Sequence, residues 1–211
     1  MTITWREVVV AIPTVQPQRA GLLSTLLGQV CHACHGVIVL VHPHVHGDSP
    51  RWDFPRMMTA AARVGRPWIL QLEDDAYLAP TFGTAALECG FDVADCVSLF
   101  SRRKADMEAY RAGQALNKRA PRAFCGNVGF FLKAEFAEGL EPFAVDYFAK
   151  HAEHVHAADY LFAEHLAALG ARVVIRLPSL VQHAGKASTL PHRHGARQSA
   201  MYRLAFGDIP T

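Results

Sequence analysis

The sequence predicts an α/β fold, a single domain with a mainly parallel central sheet flanked by helices. Three observations carry this. Uninterrupted apolar runs recur at Val8-Val9-Val10-Ala11-Ile12, Val37-Ile38-Val39-Leu40-Val41 and Trp68-Ile69-Leu70-Gln71-Leu72. Runs of that length suit strands buried on both faces. The segments between them space their apolar residues as helices do, giving strand–helix–strand–helix–strand, which a parallel sheet with crossover helices satisfies. The 211 residues, 51% of them hydrophobic, suit one domain with its own core.

Each element follows from local pattern. Pro13 stops the first run. Leu22, Leu23, Leu26, Leu27 and Val30 then share one face of a helix, which Gly36 ends. The second run leads to a polar loop, His46-Gly47-Asp48-Ser49-Pro50, and residues 55–64 read as a helix before the third run. Residues 81–89 read as a helix, and Val97-Ser98-Leu99-Phe100 and Val128-Gly129-Phe130-Phe131-Leu132 as strands; the polar stretch 102–122 stays unassigned. Residues 156–169 form an amphipathic helix stopped by Gly170, and Arg172-Val173-Val174-Ile175 is the last strand. There is no internal repeat. Periodicity fades beyond Ser188, so the expected division is a domain over 1–190 and a C-terminal tail over 191–211 that orders around ligand.

Composition narrows the classes. A net charge of +2 says little about partners, although Pro191-His192-Arg193-His194-Gly195-Ala196-Arg197 is locally basic. No run is long enough to span a membrane and the N-terminus lacks a signal-peptide pattern, so the expected location is the cytoplasm. Five cysteines, an odd number, do not suggest a disulfide framework. Cys31-His32-Ala33-Cys34-His35 matches the haem-attachment pattern C-x-x-C-H. That chemistry belongs to exported proteins, and Cys34 already lies on an apolar helix stripe. His42, His44 and His46 alternate and could bind zinc with Cys31 or Cys34; an exposed strand end followed by a loop accounts for them more simply. Cys89, Cys96 and Cys125 read as small core residues.

Most of the chemical content lies in Glu73-Asp74-Asp75, which follows the third apolar run. Three adjacent carboxylates repel one another unless a cation or ligand shares their charge. The carboxyl edge of an α/β sheet is where ligands bind. The triplet therefore points to a divalent metal holding a phosphorylated substrate.

Ala11-Ile12-Pro13-Thr14, Leu72-Glu73-Asp74-Asp75 and Leu177-Pro178-Ser179-Leu180-Val181-Gln182-His183-Ala184-Gly185 together resemble a GT-A glycosyltransferase. The late segment, with Ser188, is similar to that of the branching N-acetylglucosaminyltransferase IV group. The resemblance runs over about residues 8–188. It implies a Rossmann-like GT-A fold and a role for each matched position. Asp75 would coordinate Mn²⁺ or Mg²⁺, and His183 would complete the metal site. Glu73 would sit near the ribose or the metal's water shell, with Asp74 beside it in the nucleotide-sugar site. Pro13, Thr14 and Arg19 would grip the nucleotide, and Asp48 the uracil or ribose. Many relatives carry Asp-any-Asp, whereas Glu73 stands at the first position here. Asp159, opening the late helix, matches the general base of inverting members, while an Asp in a first helical turn is also the usual cap or dipole partner. A helix N-terminus favours a charged carboxylate, ready to accept a proton.

The expected activity is transfer of a sugar from a nucleotide sugar, a UDP-sugar, to a hydroxyl acceptor. A divalent cation neutralises the leaving diphosphate, and one imidazole among oxygen ligands tilts the choice to Mn²⁺. Acceptor candidates are a glycolipid precursor, a protein, a glycan, or a hydroxymethylated DNA base, which would have to be flipped out of the duplex. Arg102, Arg103, Lys104, Lys118, Arg119, Arg122 and the basic tail would supply phosphate contacts to DNA. Gly126-Asn127 would line an acceptor pocket or simply form a turn. Two other functions are consistent with parts of the chain. A sugar-phosphate nucleotidyltransferase normally needs a glycine-rich loop after the first strand, and Ala11-Ile12-Pro13-Thr14-Val15-Gln16-Pro17 has no glycine. The other is a non-enzymatic His/Cys zinc module.

Overall fold

β1 (Val8–Thr14) forms the axis of the sheet and is buried along nearly its whole length. The computed structural model describes residues 2–14, 19–43, 50–124, 128–151, 158–184 and 198–209, with backbone only at 50 and 51. After β1 come α1 (Ala20–Ala33), β2 (Ile38–Pro43), α2 (Pro50–Ala62) and β3 (Trp68–Leu72). β2 and β3 both pair parallel with β1, one on each side. The chain continues through β4 (Ala76–Leu78), α3 (Phe82–Ala85), β5 (Cys96–Ser98), α4 (Lys104–Arg111), β6 (Leu116–Arg119) and β7 (Gly129–Lys133). It ends with α5 (Leu140–Lys150), α6 (Ala158–Ala168), β8 (Val173–Arg176), β9 (Val181–His183) and α7 (Ala200–Phe206).

Seven strands make one sheet in the order β2-β1-β3-β7-β5-β8-β6, and β4 with β9 forms a separate two-stranded ribbon. Only β7 and β6 oppose the common direction of the sheet. This mostly parallel sheet between helices is the predicted fold class, and it is consistent with a Rossmann-like GT-A fold. Alternation along β1 divides the core. Val8, Val10 and Ile12 pack with Leu23, Leu26 and Val30 of α1. Val9 and Ala11 face Phe54, Met57, Met58 and Ala61 of α2, with Leu161 and Phe162 of α6 in the same cluster. Phe130 and Phe162 stack at 4.8 Å in that layer.

Several boundaries differ from the sequence expectation. Pro13 lies inside β1, where pairing to β3 has already ended at Ala11, so a missing N–H is tolerated. α2 begins at Pro50 and carries Pro55 within it. The unassigned stretch holds α4 and β6, tied together by the Asp106 carboxylate, which accepts from Asn117 Nδ2 at 2.7 Å and Arg119 Nη2 at 2.6 Å. α5 buries Leu140, Ala144, Tyr147 and Phe148, a helical spacing visible in the sequence but not assigned above. β4 and β9 have three residues each, too few to show a period. Within the expected tail, α7 buries Met201 and Tyr202.

Candidate functional site

The chain leaves β1 toward β2 on one side and returns to β3 on the other. Loops that diverge in this way open a crevice at the carboxyl ends of the two inner strands. Thr14 closes β1 there, and Glu73-Asp74-Asp75 follows β3.

The triplet is a tight turn. Glu73 N donates to Val128 O at 3.1 Å, and Ala76 N donates to Glu73 O at 2.9 Å. The turn feeds β4, which pairs antiparallel with β9 so that Ala76 faces His183. Ala184 N donates to Asp75 O at 2.9 Å and closes the ribbon beside the acids. His183 Nε2 thus comes to 3.3 Å from Asp75 Oδ2 and 3.9 Å from Glu73 Oε2. One ligand atom from each of Glu73, Asp75 and His183 lies within 4.8 Å of the others.

Arg19 faces the acids from the start of α1. Its Nη1 donates to Asp74 Oδ1 at 2.7 Å and lies 2.9 Å from Asp75 Oδ2. Arg19 thus pairs with two of the three adjacent carboxylates. Asp75 is 1% exposed, its Oδ2 forms an ion pair with Arg19, and neither carboxylate oxygen meets a well-directed hydrogen bond. Burial pushes the Asp75 carboxyl above its ordinary range, and His183 and Arg19 oppose that push. A buried carboxylate carries a desolvation cost that one ion pair offsets only in part, and its oxygens keep lone pairs that no hydrogen bond uses. Two carboxylates and an imidazole, with those unused lone pairs, fit a divalent metal ion.

The other expected residues fall in several places. Pro13 is half-buried at the end of β1, and Thr14 is buried with Oγ1 unpartnered. Asp159 opens α6, half-buried, one turn ahead of Phe162; it lies outside the Glu73/Asp75/His183 cluster. Asp48, His44, His46, Cys125, Gly126-Asn127 and residues 185–197 lie outside the described residues. Of the basic side chains, Arg119 is turned inward onto Asp106, whereas Arg102, Lys104 and Lys118 are exposed. Cys31 is exposed and Cys34 buried, its thiol pushed up to about 12 by burial and then by Cys31. Among the described residues, neither cysteine nor His42 belongs to a group that could hold a metal. Cys89 and Cys96 are fully buried, as core residues are.

Sequence reasoning passed over Gln71, Gln182 and Ser199. Gln71 is fully buried in β3, and its Nε2 and Oε1 both lack a hydrogen-bond partner. A glutamine inside an apolar run was the signal available for it. Gln182 and Ser199 gave no such signal, because only folding brings them together.

No protein-family model and no curated protein matches the sequence. Among solved structures, A197 from STIV is similar at 13% identity and a TM-score of 0.52, over 89% of this chain and 99% of that one. That likeness shows the fold. A glycosyltransferase involved in the glycosylation of the major capsid of PBCV-1 aligns at 8% identity and a TM-score of 0.44, over 81% of this chain and 94% of that one, a likeness too slight to carry an argument. Fold and site together define an α/β protein of GT-A-like architecture with an acidic, histidine-completed centre at its switch point. Among the described residues, no helix is long and apolar enough to cross a membrane.

Proposed function

We propose that this chain is an inverting, metal-dependent glycosyltransferase that moves a sugar from a nucleotide sugar, a UDP-sugar, to a hydroxyl acceptor. The observation that carries this reading is the cluster of Glu73, Asp75 and His183 at the switch point, with the Asp75 carboxylate buried and neither oxygen in a well-directed hydrogen bond. Those three side chains would hold Mn²⁺ or Mg²⁺, which supplies Lewis-acid neutralisation of a leaving diphosphate. Mn²⁺ suits the mixed imidazole and carboxylate set better.

The chain's own groups divide the remaining work. Arg19 holds Asp74 and Asp75 in place and adds positive charge beside the diphosphate. Thr14 offers a hydroxyl with no protein partner at the end of β1, next to Pro13, where the nucleotide would lie. Glu73 and Asp74 border the same site, and Asp48 would reach the uracil or ribose. Asp159 would take the proton from the acceptor hydroxyl as it attacks. Exposed Arg102, Lys104 and Lys118 favour a phosphate-bearing acceptor, and a hydroxymethylated DNA base is the acceptor of this kind that we propose. DNA binding that is insensitive to salt would exclude that acceptor, because phosphate contacts release counterions.

The experiment is thermal shift and diphosphate release across UDP-, GDP- and dTDP-sugars, with and without Mn²⁺, for wild type and Asp75→Ala. A Mn²⁺-dependent response to one nucleotide sugar that Asp75→Ala abolishes is the expected result. No metal-dependent response to any nucleotide overturns the proposal.

A further inference from the structure

The cluster of Glu73, Asp75 and His183 is carried by a ribbon that cannot stand by itself. β4 and β9 contribute three residues each, and an isolated pair of strands is marginal even when longer. Asp75 immediately precedes one strand and His183 ends the other. The ribbon must therefore be braced from its other face, since side chains alternate along a strand.

Gln29 of α1 accepts from Leu78 N at 3.1 Å and Leu99 O accepts from Leu180 N at 2.9 Å, and the C-terminal segment is a further brace. Gln182, 1% exposed, occupies the position before His183 and points the opposite way. Its Oε1 accepts from Ser199 N at 2.7 Å and from His183 N at 3.2 Å, while its Nε2 donates to Ser199 O at 3.2 Å. One carboxamide thus grips both backbone groups of a single distant residue and the amide of the proposed ligand. Ser199 is fully buried and caps α7, where its Oγ accepts from Tyr202 N at 3.4 Å and lies 2.9 Å from Ser179 Oγ. From α7, the Tyr202 hydroxyl donates to Leu78 O on β4 at 3.2 Å. The segment 198–209 holds β9 through Gln182 and β4 through Tyr202.

We propose that Gln182 is a positioning residue for the metal centre, and that the C-terminal segment it grips is required to hold His183 against Asp75 and Glu73. This rests on reading those three residues as the metal site. Groups that support a ligand without touching the metal commonly change affinity by about 10- to 100-fold when removed. The clamp acts on the backbone of His183, so its loss lets the imidazole swing away from the carboxylates.

The test uses Mn²⁺ alone on the full chain, with its dissociation constant measured by electron paramagnetic resonance and imidazole ligation read from nitrogen modulation of the spin echo. Gln182→Leu removes the carboxamide; Gln182→Asn keeps it but withdraws it by one methylene, and covers the case in which the first variant does not fold. Asp95→Asn loosens the fold elsewhere and controls for lost stability. Weaker Mn²⁺ binding by about 10- to 100-fold, with a reduced nitrogen signal, is expected for the Gln182 variants and not for Asp95→Asn. A folded Gln182 variant that keeps both affinity and nitrogen signal overturns the positioning role alone. Wild-type protein that binds no Mn²⁺, or a His183→Ala variant that binds it unchanged, overturns the metal site and the positioning role together.

Discussion

Replacing Gln71 with methionine is expected to stabilise the protein while weakening the site. Gln71 lies in the middle of the sheet, paired with Ala11 of β1 and Phe130 of β7, and is fully buried. Its neighbours on that face are apolar: Phe130 stacks on Phe162 at 4.8 Å and tilts against Phe54 at 6.3 Å. The carboxamide keeps two donors and an acceptor without a protein partner. Leaving a buried polar group unmade costs about 1–3 kcal/mol. Methionine keeps the unbranched stem and adapts its shape, but its sulfur and methyl are bulkier than the amide they replace, which returns roughly 0.5 kcal/mol as imperfect fit. The net gain is about 0.5–2.5 kcal/mol, or a rise of about 2–8 °C in Tm for a chain of this size. Calorimetry with and without Mn²⁺ and nucleotide sugar measures both halves. Ligand should stabilise the variant less than wild type, because Gln71 stands two residues ahead of Glu73, where polarity serves binding at the expense of stability. An unchanged or lower Tm in the absence of ligand refutes the reasoning, since it would mean that the amide is hydrogen-bonded in solution.

Three further perturbations have defined outcomes. The Asp95 carboxyl is held well below the usual carboxylate range by Arg172, reinforced by Lys133 and the Arg172 amide. Its stabilisation is present above the unfolded value near 3.9 and is lost as pH falls below it; Asp95→Asn should cost about 1–2 kcal/mol at neutral pH, discounted for half-exposed Arg172, and should flatten acid unfolding curves. His165 is buried, with Nε2 donating to Phe136 O at 2.7 Å, and burial lowers its pKa. The unfolded state takes the proton first, so stability is complete above about pH 6.5 and falls by up to about 1.4 kcal/mol per unit below it; urea midpoints at pH 7.5 and 5.5 should converge more closely in His165→Phe than in wild type. At Gly129, a Cβ would stand 3.0 Å from Val181 Cγ2 and 3.1 Å from Leu72 Cδ2. Gly129→Ala should therefore cost about 1–3 kcal/mol in chemical denaturation and, by pushing on the strand that carries His183, weaken Mn²⁺ binding.

By itself the sequence determined the central strands and marked the acidic end of the candidate site. Val8-Val9-Val10-Ala11-Ile12 and Trp68-Ile69-Leu70-Gln71-Leu72 are apolar runs with a single polar residue, Gln71, among them, so burial on both faces dictates central parallel strands. Three adjacent carboxylates after such a run marked the end at which charge must be compensated. Tertiary structure decided how that charge is met. Arg19 reaches Asp74 and Asp75 from the start of α1, and His183, which only the resemblance of its segment points to, arrives on a strand too short to announce itself by periodicity. The same holds for the bracing by Gln182 and Ser199, whose partners are distant in sequence, and for the antiparallel directions of β6 and β7, which apolar runs do not encode. Periodicity reports which face of an element is buried. The partner it meets there is fixed only when the whole chain closes, because long-range pairing depends on topology and loop closure rather than on local spacing.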